Sequence, residues 1–252
     1  MVIYGINAVI EALRAGRVHR VRVGDRDDGR MAEIIALAQR AGVVVERVPL
    51  NVLNHAAGGG RHQGVVAELD APREYTPTEL AADARGMPLI VVLDGVEDPH
   101  NVGAILRTAD ATGVDGVVRQ QRRAAPLTGA AAKASAGAVA HVRIADVVNI
   151  ARALEELKAA GVWTIGLAGD AEKHYDDVDL RQPTAIVLGA EGAGLRRLVR
   201  ERCDWLVRIP MAGHVESLNV SVAAAVMLFE AIRQRRAPGG REAGIGDDSR
   251  PK

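Results

Sequence analysis

The sequence predicts an α/β protein in two units, a small α/β unit followed by a larger one whose parallel sheet is covered on both faces. Three observations predict it. Strand-like and helix-like segments alternate along most of the chain. Leu89-Ile-Val-Val-Leu93 is a near-continuous apolar run, the pattern of a strand buried on both faces of a parallel sheet. Asp70-Ala-Pro-Arg-Glu-Tyr-Thr-Pro-Thr-Glu79 carries two prolines and poor periodicity, so it reads as the connection between the units.

The elements follow in order. A helical pattern over about 6–15 precedes the strand-like Val21-Arg22-Val23, then a second helix near 30–41 and the β-branched run Val43-Val44-Val45. The glycine-rich loop Gly58–Gly64 leads into another strand, Gly64-Val65-Val66-Ala67. In the larger unit, strands are expected at 89–93, 114–118, 162–168, 184–188 and 205–209. Helices are expected at about 101–112, 128–137, 148–160, 194–201 and 217–235. The resulting division is 1–72 for the small unit, 73–85 for a linker, 86–235 for the large unit and 236–252 for a Gly/Pro-rich, disordered tail.

Composition excludes several classes. Aromatic residues make up 2% of the chain, so the core must rest on Val, Leu, Ile and Ala. No run approaches the roughly 18 apolar residues of a membrane span, and Met1–Leu13 lacks the basic start of a secretory signal. A single cysteine, Cys203, excludes an internal disulfide framework and fits a reducing, cytoplasmic setting. Formal net charge is zero, which argues against an indiscriminate polybasic binder. Of the 32 basic residues, 28 are Arg, the cation suited to bidentate phosphate contacts, although a G+C-rich coding bias gives the same excess.

In such a sheet, ligands bind where parallel strands end and helices begin, and three segments there carry chemistry. In Leu93–Asp110, Asn101 opens a helix whose free amides could hold an anion. Arg107, roughly 600° further round that helix, could reach a phosphate or a neighbouring subunit. The plainer alternative makes Asn101 an N-cap and Arg107 a partner of Asp110. In Ile186–Leu195, Gly189, Gly192 and Gly194 follow a strand in the order G-x-x-G-x-G, which is not the dinucleotide fingerprint. Glu191 in that loop repels a pyrophosphate and suits a cationic or hydroxyl-rich ligand; the alternative is a tight turn with Glu191 capping the next helix. In Ile209–Ala223, Ser217, Asn219 and Ser221 crowd one helix start, more polar chemistry than a cap needs. Ile209, Met211 and Leu218 either enclose an adenine or are simply core.

Other candidates are poorer. His100 and His214 lie near Glu97 and Glu216, but no metal-binding spacing is present, and no metal is expected. Cys203 has no adjacent base, and Ser217 lacks a G-x-S-x-G elbow. Arg119-Gln-Gln-Arg-Arg123 is a solvated edge or a phosphate contact, and Lys133 could add another.

Together the three segments resemble the SpoU/TrmH family of RNA ribose 2′-O-methyltransferases, within the SPOUT superfamily. LDGVEDPHNVGAILRTADATG (93–113) resembles its first motif, IVLGAEGAGL (186–195) its second and IPMAGHVESLNVSVAAAVMLFEA (209–231) its third. YGINAVIEAL (4–13) and RHQGVVAEL (61–69) extend the resemblance to the L30e-like substrate domain of the 23S rRNA guanosine-methylating branch.

The resemblance implies a deep C-terminal trefoil knot, S-adenosylmethionine held in it, and a homodimer acting on structured RNA rather than DNA or membrane. By motif match, Leu188, Gly189, Ala190, Gly192, Ile209, Met211 and Leu218 would contact the cofactor. Asn101, Arg107, Glu191, Ser217 and Asn219 correspond to the family's catalytic set, with Arg107 beside the cofactor of the other subunit. A guanidinium is a poor base, so Arg107 is expected to position the ribose-phosphate and stabilise the developing oxyanion. The small domain suits 23S rRNA. Alternatives are tRNA, a thiostrepton-resistance type of rRNA adenosine methylation, or a non-catalytic rRNA-binding assembly factor. Gly137–His141, His214 and Glu216 depart from the commonest wording around the motifs.

Overall fold

The computed structural model describes residues 2–70, 73–121, 126–127 and 129–236. The first unit runs β1 (Val2–Tyr4), α1 (Ile6–Arg14), β2 (Val18–Val23), α2 (Gly29–Arg40), β3 (Val44–Arg47), α3 (Leu50–Ala56) and β4 (Val65–Leu69). Its four-stranded sheet has the order β1-β4-β2-β3, with β4 antiparallel to both neighbours and β2 parallel to β3. Two elements, β1 and α3, escape the sequence pattern because each is too short to show a period.

Helix α1 buries Ile6, Ala8, Val9, Ile10, Ala12 and Leu13, a stripe wider than one sheet face requires. It packs on its own sheet and also against the large unit. Gly137 there sits against the Glu11 side chain at φ +98°, a position where a Cβ would collide with Glu11 and strain the backbone. One apolar cluster therefore runs from Ile3 and Val9 through Val139 to Leu106 and Met227.

The segment read as a linker contains a helix, α4 (Pro77–Ala82), which corrects the sequence expectation. Its start is a capping box: the Thr76 side chain accepts from Glu79 N, and the Glu79 carboxylate accepts from Thr76 N. Pro77 at the first helical position supports the helix rather than breaking it. Leu80 and Ala81 are buried with Ile90 and Leu154, so this part of the linker is docked on the large unit.

The large unit comprises β5 (Leu89–Asp94), α5 (Pro99–Ala111), β6 (Gly116–Gln120), α6 (Ala130–Ala134), a 3₁₀ turn (Ala138–Ala140), β7 (Ile144–Val147), α7 (Ile150–Ala159), β8 (Trp163–Leu167), β9 (Lys173–His174), β10 (Thr184–Gly189), α8 (Arg197–Arg202), β11 (Trp205–Arg208) and α9 (Val220–Arg235). Its seven strands are all parallel, in the order β7-β6-β5-β10-β8-β11-β9. Every residue of β5 is buried, as its apolar run requires. Strands β7 and β9 were not anticipated; one is a four-residue edge strand and the other a two-residue pairing with β11.

The helix from about 128 is shorter than expected, and its end is finished by the 3₁₀ turn. The expected tail at 237–252, Arg122 and Arg123, and Thr128 lie outside the described residues. Arg119 is neither a solvated edge nor a free phosphate contact: its Nε donates to Asp146 at 2.7 Å, and its side chain is largely covered.

The order in which strands enter the sheet positions the site. Strand β10 inserts between β5 and β8, and β11 between β8 and β9, after those strands have been laid down in sequence. From β11 the chain returns across the strand ends, and α9 packs against α5 and β10. The loops after β8, β10 and β11 are thereby stacked at one carboxyl edge.

Candidate active site

Three strand ends and two helix starts build this edge. At the end of β10, Gly189 lies so close to the backbone of Gly194 and Leu195 that a Cβ would overlap both. Ala190 and Gly194 bond to each other through their backbones, at 3.1 and 2.8 Å, which curls 190–194 into a tight loop. Gly192 and Gly194 adopt φ of +73° and +66°, which the loop needs and which glycine supplies without strain. Below the loop, the fully buried Asp94 carboxylate accepts Arg196 N at 2.8 Å and Arg196 Nε at 2.6 Å. This ion pair fixes the loop's exit into α8.

A cleft of about 260 Å³ opens at the loop. Leu188, Ile209, Leu218, Val220 and Ala223 give it apolar walls, while Gly189, Ala190, Gly192 and Gly194 present backbone along one side. All seven residues assigned to the cofactor from the sequence line it: Leu188, Gly189, Ala190, Gly192, Ile209, Met211 and Leu218. Ile209, Met211 and Leu218 are only partly buried, so they are cleft walls rather than core. The end of β8, Leu167-Ala168-Gly169, also lines the cleft and was missed. The available signal was Gly169 directly after a predicted strand. Arg208 and Glu216 complete the charged lining.

Beside the cleft, three of the predicted polar residues form a closed hydrogen-bonded triangle. Asn101 Nδ2 donates to Glu191 Oε1 at 2.9 Å. Asn219 Nδ2 donates to Glu191 Oε1 at 2.7 Å and to Asn101 Oδ1 at 3.0 Å. The same Asn219 caps α9, its Oδ1 accepting from Ser221 N at 2.9 Å and Ser221 Oγ at 2.6 Å. Residues 90 and 118 apart in sequence are thus joined in one polar cluster.

Several local readings are corrected. Helix α5 starts at Pro99 and is capped by Asp98, which accepts from His100 N at 3.0 Å. Asn101 neither opens nor caps that helix; it lies within the first turn, buried and bonded to Glu191. A carboxylate already occupies the helix start, so this is no free anion site. Glu191 does not cap α8, which begins six residues later.

Arg107 is exposed on α5, lines neither the cleft nor the hollow where Asn101 and Glu191 meet, and its side chain has no hydrogen bond or ion pair among the described residues. The expected Asp110 partner is not engaged. Ser217 is exposed on the cleft lip. Burial pushes the Cys203 thiol up to about 12, with the Asp204 carboxylate adding to the shift, which leaves it inert as a nucleophile. Among the described residues, no group of three or more His, Cys, Asp or Glu could hold a metal ion.

The pattern that defines the SpoU rRNA methylase family matches residues 88–229, more than half of the chain and the whole of this edge. The chain belongs to the SpoU family. A second pattern, RNA 2′-O ribose methyltransferase substrate binding, matches residues 2–75. The 23S rRNA (guanosine-2′-O-)-methyltransferase RlmB of a Burkholderia species is 48% identical over 237 residues, covering 92% of this chain and 96% of the relative. YacO of Bacillus subtilis, a putative TrmH family tRNA/rRNA methyltransferase, is 42% identical over 94% of this chain and 97% of its own length.

Among solved structures, the SpoU methyltransferase AviRb from Streptomyces viridochromogenes, in complex with AdoMet, superposes with a TM-score of 0.78. It is 26% identical and covers 93% of this chain and 90% of its own. The fold is that of the SPOUT methyltransferases, an N-terminal α/β substrate domain before a parallel α/β domain with a C-terminal trefoil knot. That knot is an exception to the rule that connections stay unknotted.

Proposed function

We propose that this chain transfers the methyl group of S-adenosylmethionine to a ribose 2′-hydroxyl of 23S rRNA, on a guanosine. The observation that carries the reading is the Asn101–Glu191–Asn219 triangle set beside an apolar, glycine-edged cleft. The residues fit the cofactor. Apolar walls at Leu188, Ile209 and Leu218 suit an adenine, and a Cβ at Gly169 or Gly192 would meet nothing, so a ligand can approach the chain closely there. Glu191 and Glu216, set against Arg208, leave the cleft the negative charge that a sulfonium ligand favours. When bound, that sulfonium supplies a methyl carbon open to in-line attack by the 2′-oxygen.

The protein's own part is positioning and electrostatics. Glu191 is held by two amide donors, which orients its carboxylate without neutralising it. Asn219 links that orientation to the start of α9, and Ser217 offers a hydroxyl at the cleft lip. Arg107 positions the ribose-phosphate and stabilises the negative charge that develops on the 2′-oxygen.

Since Arg107 does not reach the cleft of its own chain, the complete site takes it from a second subunit. A homodimer is therefore part of the proposal, supported by the exposed Val222 and Phe229, one face of α9 two turns apart. A cytoplasmic location follows from the substrate.

Labelled-methyl transfer to unmodified 23S rRNA and to tRNA, with mapping of the modified ribose, tests the reading. Methylation of a 23S guanosine is expected. Transfer to tRNA, to an rRNA adenosine, or to neither RNA would replace the substrate, the base or the catalytic role in turn.

A further inference from the structure

A second crevice, of about 830 Å³, lies away from the cofactor cleft, at the joint between the two units. Arg17 enters it from the turn between α1 and β2, Arg73, Glu74 and Tyr75 from the connection, and Arg143 and Asp146 from the start and middle of the edge strand β7. Three arginines from three separate stretches of chain converge here.

Their partners leave positive charge over. The Asp146 carboxylate is taken by Arg119 at 2.7 Å. His141, also at the rim, faces Glu11 at 3.6 Å. Arg73 approaches Glu79 at 3.5 Å and Asp83 at 4.0 Å, long and exposed contacts that contribute little. Arg143 spends one donor on the Asp83 carbonyl at 2.8 Å. Glu74 is the one lining carboxylate with no cationic partner among the described residues.

Arg17 is the telling member. Its Nη1 donates to the Ala140 carbonyl at 3.2 Å, while its Nη2 is shielded from solvent and has no hydrogen-bond partner among the described residues. An unpaired buried guanidinium nitrogen is costly, and folded proteins rarely keep one without a use. Arg17 itself lines the crevice. Tyr75 forms the floor, with the Arg73 guanidinium 4.7 Å from its ring centroid and that of Arg143 at 6.0 Å. Such stacking holds both planar cations in place while their edges stay free to donate.

We propose that this crevice binds a backbone phosphate of the RNA substrate, gripping it between the substrate-binding unit and the methyltransferase unit. The inference rests on the RNA-methylating role proposed above. The site sits at the joint rather than on the face of either unit, so one phosphate contacts residues of both the connection and the two units.

The test uses the full-length protein with Arg73→Gln/Arg143→Gln, both partly exposed, and separately Arg17→Gln. Affinity for a 23S rRNA fragment is measured by anisotropy across a salt series, alongside S-adenosylmethionine affinity and the split between KM and kcat. Roughly tenfold weaker RNA binding is expected, with a slope of log Kd against log salt lower by about 1 per lost phosphate contact. KM should rise while cofactor affinity holds. Inorganic phosphate is titrated in parallel, since a free anion has the same chemistry.

Unchanged RNA affinity and salt slope in the double variant overturn the proposal, whether or not inorganic phosphate binds. If the wild type binds rRNA through these arginines yet transfers no methyl group, the phosphate site stands and the catalytic reading fails. If the wild type methylates and the variants match it in every respect, the reverse holds.

Discussion

The two ends of the seven-stranded sheet are held by different means. At the carboxyl end, side chains bond to one another: Asn101, Glu191 and Asn219 close a triangle beside the cleft, and Asp94 grips Arg196 beneath it. At the amino end, one side chain holds backbone. Arg235, in the last turn of α9, donates to the carbonyls of Leu180, Met87, Pro88 and Gln182 at 2.6–3.0 Å. Burial holds its guanidinium below the usual arginine range, and the Asp115 carboxylate works against that shift. The comparison separates function from frame. Side chains that satisfy one another can exchange partners when substrate arrives, whereas backbone carbonyls cannot leave, so the amino end anchors α9.

Four measurements would sharpen that contrast or break it. The largest effect is expected from Arg107→Ala, with methyl transfer falling by about 10²–10³-fold as an oxyanion-stabilising donor is lost. Cofactor affinity should stay close to wild type in calorimetry; near-normal turnover would remove Arg107 from the chemistry. Next is Gly189→Ala, whose methyl group must displace the Gly194 backbone. A loss of about 3 kcal/mol in denaturant unfolding is expected, together with weaker cofactor binding, because the same loop forms the cleft. Arg235→Met should cost about 2 kcal/mol through the carbonyls it leaves behind, with kcat preserved in the folded fraction. A fall in kcat without a fall in stability would show that the two ends are not separable. Smallest is Thr76→Ala, which removes one half of the α4 capping box and should lower the melting midpoint by roughly 2–4 °C with cofactor affinity unchanged.

The site was more legible than the fold around it. Glycines 189, 192 and 194 after a strand, and the polar surplus at 217–221, are local signals, and every residue assigned to the cofactor lines the cleft. What local reading misplaced was partnership. Asn101 looked like a helix opener because an Asn near a helix start usually is one; Asp98 holds that position instead. For Glu191 the cap was only the alternative to a ligand-facing role, and α8 begins too far along the chain for it. Elements missed were those of two to seven residues, too short for a period to repeat: β1, α3, β7 and β9. Helix α4 was hidden by its own Pro77, read as a break when it marked a start.

By itself, the sequence determined the alternation of strands and helices, the buried central strand and the three loops at which chemistry gathers, because each depends on neighbours in the chain. The polar surplus of Ser217, Asn219 and Ser221 was visible there too. Only the tertiary structure decided what the surplus is for: Ser221 donates to Asn219, Asn219 caps α9 and holds Glu191, and Ser217 is left facing the cleft. It also decided that Arg107 stands apart from the cleft of its own chain and that Arg17, Arg73 and Arg143 share a crevice. The physical reason is the same in each case. A propensity or a period acts over one turn of chain, whereas a hydrogen bond between residues 118 apart exists only once the strands have taken their order.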